Sequence, residues 1–268
     1  MMSLNVKQKG FTLLELVAVM IILGILATSV FTFLRYGVES FTNASDREEV
    51  ISSARFAIER LNREVRNALP NSLRTLGATS QCLEFTPIAQ SVIYLDIPVS
   101  PEPISDTVQF LMSKGTLENT VNYISIYALN SSDIYSKTSG IIEEISSVTH
   151  SGSKVSPSTV TLVNEIVFNG ESPTKRMFFI DQSVAYCIEG SQLYRYQDYD
   201  YLGNNIQMHS DTQRVLMAEY LDYSDGEVPF KTTDAVLSRN SIAFIELVFR
   251  RNFEKISFNN DIQVQNVP

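Results

Sequence analysis

Residues 11–34 read FTLLELVAVMIILGILATSVFTFL, 24 residues with a single charge, Glu15. As a helix rising ~1.5 Å per residue, the segment covers roughly 36 Å. That crosses a hydrocarbon layer about 30 Å thick with some tilt. A cleavable secretory signal has an apolar core of about 7–15 residues and a small-residue cleavage site. This run is too long, and no A-x-A site precedes a domain boundary. A buried core helix is also expected to be shorter. An ordinary signal anchor fits the length but gives no reason for Glu15 or for the glycine at position 10. Only Lys7 and Lys9 carry charge upstream. The positive-inside rule therefore keeps the N-terminus in the cytoplasm and sends residues 35–268 outward. No second stretch of 18 apolar residues follows, so a single span with a large extracytoplasmic part is expected.

Glu15 is the residue that needs explaining. A carboxylate in an apolar span costs about 2.5–3.5 kcal/mol at the bilayer centre, and less near its edge. Residues 11–34 hold no Lys, Arg or His, so a partner must come from elsewhere. The local string is Lys9-Gly10-Phe11-Thr12-Leu13-Leu14-Glu15-Leu16. It resembles the type III signal of the type IV pilin superfamily, the prepilins. The resemblance implies that an inner-membrane aspartyl prepilin peptidase cuts between Gly10 and Phe11 and N-methylates Phe11. It also implies that Glu15 acts in assembly, where its carboxylate neutralises the new amine of a neighbouring subunit and sets axial register. Processing would remove residues 1–10 and leave 19 basic against 30 acidic side chains.

No proline occurs before Pro70, and Gly10, Gly24 and Gly37 are the only glycines before Gly77. A continuous helix from Phe11 to about Leu69 is predicted, roughly 90 Å long. Its exposed half, residues 35–69, carries a stripe at Ile51, Ala54, Ile58, Leu61, Val65 and Ala68. The spacing places these on one helical face, which is expected to pack on the chain's own globular part. Arg55–Glu59, Glu59–Arg63 and Arg60–Glu64 are pairs four residues apart that support the helix. Pro70-Asn71 reads as its stop.

From residue 70 onward the apolar period changes to two. Strands are predicted at Cys82–Pro87, Val92–Ile97, Val108–Met112, Tyr123–Ala128, Val160–Phe168, Arg176–Ile180, Val184–Ile188, Leu193–Tyr196, Val215–Leu221, Ile242–Phe249 and Ile262–Val267. Glu189-Gly190 lies between two of them and reads as a hairpin turn. Ser131–Ser158 reads either as a loop or as one strand around Ile141–Val148 with flexible flanks. The fold class expected is α+β and pilin-like. It comprises a leader (1–10), a transmembrane half-helix (11–34), an exposed half-helix (35–69) and an antiparallel β-rich periplasmic domain (70–268).

The chain has 21 basic and 30 acidic residues, two Cys and two His. Residues 75–268 alone hold 12 basic and 23 acidic groups. An acidic surface of this kind repels nucleic acid, so no nucleic-acid partner is expected beyond a local patch such as Lys175-Arg176. Cys82 and Cys187 fall in predicted strands. In an oxidising periplasm they are expected to form a disulfide, the alternative being two separate buried thiols. No zinc pattern exists. Asp222, Asp225 and Glu227 form the densest acidic cluster, a solvated turn or a calcium site without EF-hand spacing. Glu143-Glu144 reads as a solvated end. His150 and His209 show no base–nucleophile arrangement, and the chain is read as non-enzymatic and without a cofactor. Tyr194, Tyr196, Tyr199 and Tyr201 form either a carbohydrate-binding face or a half-buried strand and loop.

A finer resemblance lies past the N-terminus. Residues 54–74, ARFAIERLNREVRNALPNSLR, look like the corresponding segment of MshO-type minor pilins of the mannose-sensitive haemagglutinin (MSHA) pilus. Residues 176–196, RMFFIDQSVAYCIEGSQLYRY, and the ending VQNVP are similar to that family too. PilW-type minor pilins and J-type pseudopilins of type II secretion have related architectures. The resemblance implies a minor pilin in the inner membrane, and later in the pilus. Its role would be in assembly at or near the tip, with the prepilin peptidase and other minor and major pilins as partners. The alternatives are a J-type pseudopilin, or a tip adhesin binding a surface glycan.

Overall fold

A computed structural model describes residues 10–112, 121–151, 156–202, 205–207, 212–233, 240–252 and 254–265. The chain divides into two units, residues up to Glu49 and residues from Val50 onward. The first element, α1 (Leu13–Arg66), belongs to both. Its start and stop lie two or three residues inside the predicted ends. Pro70 follows its last turn, where Asn67 and Ala68 donate to carbonyls three residues back and tighten the end. In the first unit every described residue is exposed except Asp46.

In the second unit, α1 lays one face on the β domain, but that face is rotated from the predicted stripe. The fully buried positions are Val50, Ala54, Ala57, Leu61, Val65 and Ala68, whereas Ile51 and Ile58 are only half-buried. Alanines at 54 and 57 line the seam because a methyl group lets the helix backbone approach the sheet closely. The bulkier isoleucines fall to its flank. Of the three predicted helix pairs, Arg60–Glu64 closes at 3.0 Å.

The strands are β1 (Arg74–Leu76), β2 (Cys82–Phe85), β3 (Ile88–Asp96), β4 (Ser105–Leu111) and β5 (Tyr123–Ser125). A short helix α2 (Ser131–Tyr135) precedes β6 (Ile142–Thr149), β7 (Ser158–Ile166), β8 (Arg176–Ile180), β9 (Val184–Glu189) and β10 (Gln192–Gln197). After these come β11 (Asp200–Leu202), β12 (Asn205–Gln207), β13 (Gln213–Ala218), β14 (Phe230–Thr233), β15 (Ser241–Arg251) and β16 (Glu254–Val264). The order β1-β2-β9-β10-β13 makes one antiparallel sheet, and β14-β15-β16 makes a second. Strands β3-β4-β7-β6-β5-β8 close into a barrel. The long N-terminal helix is thus packed with an antiparallel β-rich domain, and the fold is α+β.

Two cores follow from this layout. Leu83, Phe85, Tyr186, Leu193, Phe230, Ile245, Leu247 and Phe249 face the buried side of α1. Along β15 the inward set Ser241, Ala243, Ile245, Leu247 and Phe249 keeps the period of two expected of a strand with one buried face. The barrel has its own interior, including Tyr94, Val108, Phe110, Ile124, Val160, Phe168 and Phe179.

Three turns show how residue type places the chain. The β9–β10 hairpin pairs Glu189 with Gln192 across Gly190-Ser191, and Gly190 takes φ 60°. Asn252, with φ 47°, turns the chain between the paired ends Arg251 and Glu254. At Gly140, φ is 79° and a Cβ would lie 2.9 Å from the Val167 carbonyl oxygen, so only glycine fits.

Strand β6 resolves the open reading of residues 131–158 as a short helix followed by a strand. Segments β1, β14 and the β11–β12 hairpin were not predicted. Each of these strands is only three or four residues long, too short to show a period.

Candidate functional site: the N-terminal processing junction

Gly10 and Phe11 precede α1 and are exposed. The helix begins through Thr12. Its carbonyl oxygen accepts the Leu16 N–H at 3.2 Å, and its Oγ1 accepts the Glu15 N–H at 3.3 Å. Thr12 is therefore the N-cap, and Thr12-Leu-Leu-Glu15 has the spacing of a capping box. That signal was legible in the sequence but was not used above. The consequence is that the Gly10–Phe11 peptide stays outside the helix and exposed. Around Gly10 no heavy atom lies within 4 Å of where a Cβ would stand. The fold therefore makes no demand for glycine at this position, and the demand falls on whatever acts on the bond.

Beyond the junction the helix presents a largely apolar surface, with Glu15 its one charge up to Leu34. Phe11, Leu13 and Leu14 are about four-fifths exposed, and Phe31, Phe33 and Phe41 about three-quarters. None of the most apolar stretch of α1 is buried within the chain. Such a surface needs a lipid or protein environment. Glu15 sits in the first turn, where a carboxylate interacts with the helix dipole by at most about 1 kcal/mol. Residues 11–34 hold no cation, so beyond this dipole interaction the carboxylate has no partner of opposite charge within the span.

The globular part ties several of its acidic residues into internal ion pairs. Asp222 and Asp225 face Arg250 at 2.6 and 2.7 Å. Asp225 also meets Lys255 at 2.9 Å, and Glu227 is paired with the same ammonium. Hydrogen bonds from Ser224 hold Asp222 below the usual carboxylate range. Lys255 does the same for Asp225 and Glu227. The predicted acidic cluster is thus an ion-pair network, its oxygens turned to side-chain cations. Among the described residues no group of carboxylate, His or Cys side chains is arranged to hold a metal.

Glu143, read above as solvated, is instead buried. Its Oε1 accepts the Gly140 N–H at 2.6 Å and the Ser139 hydroxyl at 3.2 Å, which ties off the turn before β6. The tyrosines do not form one open face. Tyr196 is buried with its hydroxyl on Glu189, Tyr194 lies under the Arg214 guanidinium at 3.6 Å, and Tyr199 donates to Glu84 at 2.7 Å. His150 is exposed. His209 and the Tyr201 side chain lie outside the described residues.

Cys82 and Cys187 are joined by a disulfide and are direct partners in the β2–β9 register. The bond pins the strand pair on which Glu84 and Tyr186 sit. Two further polar hubs were not foreseen. Glu64, on α1, accepts from Arg60, from Arg195 Nε at 2.8 Å and from the Tyr186 hydroxyl at 3.0 Å. Glu84 is wholly buried in β2, with Arg74 Nε at 2.5 Å on one oxygen and Tyr199 on the other. A carboxylate in an otherwise apolar strand was the available signal for Glu84. For Glu64 there was none, because Arg195 is 131 positions away.

Residues 5–31 match the family model of the prokaryotic N-terminal methylation motif. No curated protein and no solved structure matches the chain. The matched stretch contains Gly10, Phe11 and Glu15. It also contains the cap that keeps the scissile peptide outside the helix and the start of the exposed apolar surface. Residues 5–31 thus carry the prokaryotic N-terminal methylation motif found in type IV pilin-like proteins, a motif that implies processing by prepilin peptidase and membrane association.

Proposed function

We propose that this protein is a minor pilin that takes part in the initiation and assembly of an MSHA-like type IV pilus, at or near its tip. It is an interaction protein and performs no catalysis itself. The observation that carries the reading is the exposed apolar helix opened by Gly10, Phe11 and Glu15 and inserted in no core of its own. In this reading the N-terminus lies in the cytoplasm and the β domain in the periplasm. The peptidase hydrolyses the Gly10–Phe11 bond and methylates the new amine of Phe11. The charged amine of one subunit then meets Glu15 of its neighbour, which relieves the burial of both charges in hydrocarbon.

The test has two arms. N-terminal mass spectrometry on the protein from its native membrane should find a chain beginning at N-methyl-Phe11. A chain retaining Met1 or Met2 in cells with active peptidase would overturn the reading. Deletion of the gene should abolish pili. Intact pili with lost exoprotein export would place the protein instead in type II secretion, as a J-type pseudopilin.

A further inference from the structure

A groove of about 310 Å³ opens where the end of α1 meets the barrel strands β3 and β8. Arg66, in the last turn of α1, and Arg176, at the start of β8, both line it, and no Asp or Glu does. We propose that this groove docks a short acidic segment of another protein, with an aspartate or glutamate carboxylate of that segment held by Arg66 and Arg176.

The charge pattern around the groove is unlike that of the rest of the domain. Arg74, Arg195, Arg214 and Arg250 each meet a carboxylate of the chain itself. Arg66 and Arg176 meet none among the described residues. Arg176 belongs to the basic patch visible in the sequence, while its neighbour Lys175 is turned to the Leu95 carbonyl at 3.3 Å. A guanidinium presents a planar fork of donors that matches a carboxylate. Both arginines also stand on fixed backbone. Next to Arg66, Asn67 accepts the Ile88 N–H at 2.9 Å and donates its side-chain amide to the Ile88 carbonyl at 2.7 Å. Arg176 pairs with Ile93 in the β3–β8 register, and its N–H donates to Ser172 Oγ at 3.2 Å. That register shifts between Ile88 and Gln90, a bulge that bends β3 beside the groove.

The apolar surroundings select the kind of anion. Ile93, the cross-strand partner of Arg176, is 54% exposed, and Leu95 follows it on the outward side of β3. Pro70, Ile88 and Phe178 form apolar wall within the groove. A segment with an acid set among aliphatic residues can place its carboxylate on the arginines and its apolar side chains on Ile93 and Leu95. A nucleic-acid strand presents phosphates in series and calls for a row of cations. Residues 75–268 hold 12 basic against 23 acidic groups, a field that repels such a polyanion. Free phosphate would leave the apolar residues unused.

The experiment applies the full chain, in zwitterionic detergent micelles, to an array of short immobilised peptides. In one set Asp or Glu alternates with Val or Ile, and in the other Gln replaces the acid. Retention on the acidic set alone is expected, weakening as salt rises. Arg66→Gln and Arg176→Gln should each weaken binding by about tenfold or more, the scale of one hydrogen bond to a charged group. Arg66→Lys should recover only part of the affinity, because an ammonium lacks the fork. Arg66 is exposed, so Arg66→Gln should keep the wild-type melting temperature even if the Arg176 variant does not. Cleavage after Gly10 should be unchanged in every variant, so failure here leaves the assembly reading standing. The proposal is overturned if no acidic peptide is retained, if the Gln peptides bind equally, or if binding persists unchanged in both Gln variants. It is equally overturned if oligothymidylate binds more tightly than the acidic peptides, or if inorganic phosphate displaces them at equal concentration.

Discussion

Replacing Glu64 by alanine should loosen the attachment of α1 to the β domain more than any other single charge removal on the helix. The Glu64 carboxylate is four-fifths buried, and the Arg195 side chain is only 12% exposed. Glu64→Ala leaves that guanidinium without its anion and the wholly buried Tyr186 without an acceptor. Breaking a buried pair from one side costs about 3–5 kcal/mol. Arg60 is partly solvated and its share is small, so the low end, about 3 kcal/mol, applies. In a domain of this size each kcal/mol shifts the melting temperature by about 2–4 °C, giving a loss of roughly 6–12 °C.

The chain has no tryptophan, so unfolding is best followed by far-UV circular dichroism together with the tyrosine near-UV signal, on the full chain in micelles. In a Glu64→Ala, Arg195→Ala cycle the double variant should cost about 1–3 kcal/mol less than the sum of the singles. A shift under about 2 °C, or strict additivity, would refute the anchor.

The anchor also has a defined pH dependence. Burial pushes the Glu64 carboxyl up, but the hydrogen bonds from Arg195 and Arg60 and the charge of Arg195 outweigh it. The net position is below the ordinary 4.5. The folded state therefore holds this proton less tightly than the unfolded chain. The stabilisation is complete above that ordinary value and is lost as pH falls through the lower, folded-state value. The gap between wild type and Glu64→Gln should be full at pH 6 and shrink in strong acid.

Glu84 should behave in the opposite sense. Burial is its largest influence and the carboxyl is held above 4.5 despite Arg74 and Tyr199. Glu84→Gln should therefore cost less at neutral pH than Glu64→Gln, and comparison of the two melting temperatures at pH 7 checks it. Ala57 is fully buried in the seam, so Ala57→Leu should overpack it and cost about 1–3 kcal/mol in chemical denaturation. Reducing Cys82–Cys187 opens a loop closed over a separation of 105 residues. Stability should fall by up to about 4.7 kcal/mol in the chain-entropy model, read from denaturation with and without reductant. Glu15→Ala should still be cut after Gly10 but fail to support pili, and normal pilus counts would remove the basis for the charge pairing.

What could be read in advance depended on how far a residue's partner lay along the chain. The apolar span, the helix stop before Pro70, strand β15 and the Gly190 turn are set by neighbours within a few positions, where period and turn chemistry act, whereas β16 begins at Glu254, eight residues ahead of the predicted Ile262. The rotation of the helical face was not legible, because Val50 and Ala57 displace Ile51 and Ile58 from the seam only when a sheet presses against them. The buried carboxylates were misread for the same reason. Glu143 looked like a surface charge, and its cap on Gly140 depends on a backbone turn that only glycine permits. The disulfide was inferred from compartment, whereas its direct cross-strand register could come only from the sheet.

The positions of these carboxylates bear on how the two tasks of the molecule can coexist. The residues proposed for assembly, Gly10, Phe11 and Glu15, make no demand on the β domain, and nothing in the fold requires glycine at position 10. The β domain in turn is fastened to the second half of α1 by the alanine seam and by Glu64. Changes elsewhere in the β domain can therefore accumulate without altering the N-terminal junction, provided the seam and Glu64 are kept. The variant pair that tests this is Glu15→Ala against Glu64→Ala: the first should leave the melting temperature of the β domain unchanged, and the second should lower it without altering cleavage after Gly10.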